Sequence, residues 1–78
     1  MFLGWYDPDK KKTIEEKIAA AARRYERKHG QPPAIALVNP GQLAEVEGLD
    51  VRPAPHVAPN TIYVGEAGDD EGEDRQAA

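Results

Sequence analysis

Between Thr13 and Gly30 the chain carries a helix signal bounded on both sides, and an apolar segment follows it almost at once. Thr13 suits the N-cap, where a hydroxyl accepts a hydrogen bond from a free amide of the first turn. Glu16 stands three residues on and can accept from the Thr13 amide in return, which completes a capping box. Glu15 and Glu16 lie at the positive end of the helix dipole, and Lys28 and His29 at the negative end. Ile14, Ile18, Ala21, Ala22, Tyr25 and His29 share one face about 100° wide, the width of the buried stripe of a surface helix. Gly30 can take the left-handed conformation that ends a helix, and Pro32 and Pro33 prevent its resumption.

The segment from Ala34 to Val38 is apolar on both faces, which predicts a strand in the interior of a sheet. Asn39 and Pro40 predict a second, short helix, with Asn39 as its cap, Leu43, Ala44 and Val46 facing inward and Gly48 at its end. Leu49 to Arg52 reads as a strand. Pro53, Pro55 and Pro59 mark residues 53–60 as an extended loop or a sheet edge, since proline cannot donate to a ladder. Thr61-Ile62-Tyr63-Val64 is rich in β-branched and aromatic residues and predicts the last strand. Before the helix, Phe2 to Tyr6 is a short strand or an apolar arm over the core, and Asp7-Pro8-Asp9 is a turn. The expected class is α+β, of order (β)αβαββ: a small three- to four-stranded sheet with one long helix packed on a face.

Charge divides the chain in two. Residues 1–64 carry nine basic and eight acidic side chains, whereas residues 65–78 carry one and six, so the net charge of −4 belongs to the last stretch. That stretch has no large apolar group to bury, the composition of a disordered acidic tail. The expected organisation is one α+β domain over residues 1–64 and an acidic tail over 65–78. A unit of that size buries only about 60% of its unfolded surface. With no cysteine it has neither a disulfide nor a thiolate zinc site to reinforce it. The apolar opening Met1–Tyr6 is too short for a signal sequence, and no segment approaches the length of a membrane span. The expected location is the cytoplasm.

Chemistry is narrowly bounded. The chain has neither Ser nor Cys, so nucleophilic catalysis would fall to Thr13, Thr61 or a tyrosine, and Thr13 already has a use as a cap. His29 ends a helix and His56 lies among prolines, a spacing that meets no metal-ligand pattern. No glycine cluster follows a strand as a phosphate loop requires. No cofactor, no metal and no enzymatic activity are expected.

Two surfaces remain. Lys17, Arg23, Arg24, Arg27 and Lys28 form a basic flank of the helix, next to Lys10, Lys11 and Lys12, and such a flank can meet phosphates. Phe2, Trp5 and Tyr6 either close the core or anchor a second chain. A chain pI near 5.0 argues against a dedicated nucleic-acid binder.

The run from Ile14 to Gly65 resembles short uncharacterised bacterial proteins that have a helix, a Pro-Pro boundary, a strand ending Leu-Val-Asn-Pro and a final Tyr-Val-Gly. The cadence of Ala34–Pro40 followed by Leu49–Gly65 is also similar to the C-terminal α+β part of tailed-phage capsid proteins. Neither resemblance implies an activity or a functional residue. The expectation is a small non-enzymatic protein–protein interaction module, with another protein or a second copy as partner. A nucleic-acid-associated protein using the basic flank is the alternative.

Overall fold

A computed structural model describes residues 2–66. Its elements are β1 (Leu3–Tyr6), α1 (Ile14–His29), β2 (Ile35–Val38), β3 (Asp50–Pro53) and β4 (Thr61–Gly65). The four strands form one mixed sheet in the order β1-β4-β2-β3. Strand β4 runs antiparallel to both β1 and β2, and β2 and β3 are parallel. The class is therefore α+β, with one long helix on a four-stranded sheet.

Both ends of α1 form as their residues dictate. The Thr13 Oγ1 accepts from the Glu16 amide at 3.1 Å, and the Thr13 amide donates to Glu16 Oε1 at 2.9 Å. Gly30 closes the helix at φ 81°, its amide donating to the Glu26 carbonyl at 2.8 Å. This conformation is strained for a residue with a Cβ and open to glycine.

The helix buries Ile18, Ala21 and Tyr25 against Ala36 and Val38 of β2 and Ile62 and Val64 of β4. Leu3 and Trp5 of β1 pack against the same cluster. Fully burying a side chain such as Ile18 or Ile62 contributes roughly 1.5–3 kcal/mol, so these residues dominate the stability of the unit. His29, assigned to the same stripe by its spacing, is exposed but keeps its ring 4.3 Å from that of Tyr25.

Strand β2 is buried along its whole length, because the sheet has a second, smaller core. On the side away from the helix, the loop after β3 folds back and lays Ala54 and Val57 over Ile35 and Leu37, with Phe2 beside them. The Ala54 amide donates to the Val38 carbonyl at 2.8 Å, which holds this loop to the end of β2.

The expected second helix is replaced by a single 3-10 turn, Pro40–Gln42. Asn39 caps it, its Oδ1 accepting from the Gly41 amide at 2.8 Å, but Leu43 is already extended at ψ 133°. A helix must fix several residues before its first hydrogen bond repays the cost, and Gly41 raises that cost further. Gly48 does not end a helix. It takes φ 78° inside a tight turn in which the Leu49 amide donates to the Val46 carbonyl.

Strand β4 continues through Gly65, whose carbonyl accepts from the Ala34 amide at 2.9 Å, so the sheet extends one residue past the expected domain boundary. Of the expected acidic tail over residues 65–78, residues 67–78 lie outside those described. No helix among the described residues is long and apolar enough to cross a membrane.

Candidate functional site

Alternation along β1 divides the three aromatic candidates between the two faces of the sheet. Trp5 faces the helix and packs on the main core, while Phe2 joins the small core on the other side. Tyr6 is 63% exposed on that second side. Next to it Tyr63, opposite Gly4 in the register, lays its ring over the glycine. A Cβ at Gly4 would come within 3.0 Å of Tyr63 Cε1. Tyr6 and Tyr63 thus leave an aromatic strip uncovered beyond the reach of the 54–57 loop. The three residues are joined by the strand they flank rather than by a common patch.

That strand is an outer one. Of the two sheet edges, β3 carries the Arg52–Asp50 ion pair at 2.8 Å and ends in Pro53. Charges and proline on an edge block the addition of another strand. Strand β1, Leu-Gly-Trp-Tyr, has neither.

The basic candidates also separate. Arg23, Arg24, Arg27 and Lys28 are exposed on α1. Lys17 is not with them: it is only 5% exposed, and its ammonium donates to Asn60 Oδ1 at 3.0 Å. Its position explains this, since Lys17 lies three residues after Ile14 and four before Ala21, on the border of the buried stripe.

Lys17 belongs to a polar knot at the start of the helix. Asn60 Oδ1 also accepts from Gln42 Nε2 at 3.0 Å, and the Asn60 amide donates to Gln42 Oε1 at 2.6 Å. The Asn60 carbonyl accepts from the Asp7 amide at 2.9 Å. Asn60 adopts φ 64°, a left-handed conformation that Asn tolerates better than most residues. Asp7 is buried beside it and holds its carboxyl below the usual range. The Asp9 amide donating to Oδ1 at 3.0 Å contributes most, helped by the Lys12 ammonium 3.2 Å from Oδ2 and by the charge of Lys17. The spacing of the chain gave no warning of this knot; an Asn directly before a strand and after proline is its one local sign.

Arg24 stacks on Trp5, with its guanidinium carbon 4.0 Å from the ring centroid. Leu3, Gly4, Trp5, Arg24, Arg27 and Lys28 line an open groove of about 470 Å³ between helix and edge strand. Among the described residues, none of the three cations pairs with a carboxylate, and the Trp5 indole N–H, closed off from solvent, has no acceptor. His29 lies against Tyr25 and His56 is exposed in the 54–60 loop. Among the described residues no three His, Cys, Asp or Glu side chains come together as metal ligands.

No family model, curated protein or solved structure matches the chain. The two resemblances drawn above rest on their quoted residues alone.

Proposed function

We propose that this chain is a small, non-enzymatic protein-interaction module that binds by adding a partner strand to β1. The observation that carries this is the contrast between its two sheet edges. One is closed by Asp50, Arg52 and Pro53, and the other offers an uncharged Leu3–Tyr6 ladder beside exposed Tyr6 and Tyr63. Backbone hydrogen bonds along such an edge supply affinity, and the side chains next to it supply selectivity. A second copy is the simplest partner. Antiparallel pairing of β1 with itself about a twofold axis is self-complementary and occupies both free edges. The expected setting is the cytoplasm.

Sedimentation across a concentration series tests this. Tyr6→Lys places a charge on the edge at a side chain that already points to solvent, so it should weaken association without unfolding the domain. Trp5→Ala should also weaken it, through loss of an aromatic next to the contact. Arg23→Glu with Arg27→Glu should leave it nearly unchanged. Association that survives Tyr6→Lys and fails in the arginine variant would contradict the proposal.

Arg23, Arg24, Arg27 and Lys28 support a second reading, contact with nucleic-acid phosphates. Its specific support is that these cations have no acidic partner among the described residues. Binding of this kind weakens steeply with salt, because each phosphate contact releases counterions. A gel-shift titration over salt concentration decides it, and the second reading requires a complex that the arginine reversals abolish.

A further inference from the structure

We infer that the groove between α1 and β1 is the docking site for the chain's own acidic segment, residues 69–74. This goes beyond strand addition at β1 and stands on separate observations.

The first is charge. Arg24, Arg27 and Lys28 line the groove without a carboxylate partner among the described residues. Residues 69–74 read Asp-Asp-Glu-Gly-Glu-Asp, five carboxylates in six positions. The groove floor adds Trp5, on whose ring the Arg24 guanidinium stacks at 4.0 Å.

The second is where the described chain ends. The side chain of Glu66, the last described residue, accepts from Gln31 Nε2 at 2.8 Å. Gln31 follows Gly30, the C-cap of α1, so Glu66 is held beside the helix C-terminus, the end that carries Arg27 and Lys28. Extended chain covers roughly 3.3 Å per residue, so Asp69 lies within about 10 Å of Glu66 and Asp74 within about 26 Å. From Arg24 to Lys28 the helix rises only about 6 Å. The carboxylates therefore reach the groove with length to spare. Tethering also makes the encounter intramolecular, which raises the effective concentration far above that of a free acidic peptide.

Such a contact is electrostatic and open to water, so it weakens as salt rises. It also covers the cations that a nucleic acid would need.

The test is nitrogen-15 NMR on the full chain. Its Trp5 indole and Arg24 and Arg27 side-chain resonances are compared with those of the variant carrying Asp69→Asn, Asp70→Asn, Glu71→Gln, Glu73→Gln and Asp74→Asn. Arg52, on the opposite sheet edge, serves as the reference. At low salt the groove resonances should differ between the two proteins while Arg52 stays in place. Added salt should move the wild-type peaks onto those of the variant. Identical groove resonances at low salt would overturn the proposal, as would equal shifts at Arg52, which mark a general effect of net charge. Groove shifts that appear only when an oligonucleotide is added, with the two proteins alike before it, would give the site to nucleic acid and overturn it too.

Discussion

The ammonium of Lys17 and the side-chain oxygen of Asn60 meet at 3.0 Å across 43 residues of sequence, joining the first helix to the turn that launches β4. Both side chains are largely withdrawn from water, and Asn60 holds a left-handed backbone while serving Gln42 and Asp7 as well. One residue therefore ties the helix, the 3-10 turn and the start of β4 together.

Replacing that residue should be costly. Hydrogen bonds to charged groups contribute about 1.5–3 kcal/mol each, and truncation leaves a buried cation without its acceptor. Asn60→Ala should cost about 2–3 kcal/mol in urea unfolding. Asn60→Gly relieves the left-handed strain but not the lost acceptor, so it should recover only part of that loss. Full recovery by glycine would mean that the backbone conformation matters and the Lys17 contact does not.

The helix cap gives a smaller, calibrated effect. Thr13→Ala removes one half of the capping box and should cost about 1 kcal/mol, a fall of roughly 4–8 °C in Tm for a domain of this size. An unchanged Tm would show that the helix start is held from elsewhere.

Gly4 and Tyr63 should be energetically coupled. A Cβ at position 4 meets the tyrosine ring at 3.0 Å, so Gly4→Val forces the ring aside. Valine is otherwise the better strand residue. Gly4→Val should therefore destabilise the wild type but stabilise a Tyr63→Val background. Equal effects in both backgrounds, measured as a double-mutant cycle, would mean that the ring does not shield the glycine.

Acid should act through Asp7. Its pKa is lowered on folding, chiefly by the Asp9 amide and then by Lys12 and Lys17. A group with a depressed folded pKa contributes stability above its unfolded value, 3.8 here, and loses it as pH falls through the folded value. The stability gap between wild type and Asp7→Ala should be wide at neutral pH and narrow below about pH 4. A gap independent of pH would remove Asp7 from the acid response.

The parts of this fold that were legible in the sequence are the local ones. Thr13, Glu16 and Gly30 act on their own neighbours, so the helix is where they put it. Ala34 to Val38, apolar on both faces, correctly signals an interior strand. The order of the strands was not legible, because it depends on pairings such as Trp5 with Ile62 and Ala36 with Val64, made across long stretches of chain. The second helix was overestimated because Asn39 and Pro40 signal a start that Gly41 and Leu43 do not sustain. Of the candidate surfaces, Arg23, Arg24, Arg27 and Lys28 are exposed on the helix as their spacing indicates. Lys17 was misplaced because a helical wheel cannot register Asn60, an acceptor 43 residues away.

The central claim, that β1 is the edge a partner strand joins, is tested most directly by amide hydrogen exchange over a concentration series. Two of the sheet's strands have an open side, so the amides of β1 that do not bond to β4 can be compared with that of Val51, the one outward amide of β3, since Pro53 has no N–H. Self-pairing through β1 predicts that exchange at its outward amides slows as concentration rises, while the Val51 amide stays fast throughout. Outward β1 amides that exchange as fast as the Val51 amide at every concentration, or protection that grows at Val51 instead, would contradict it.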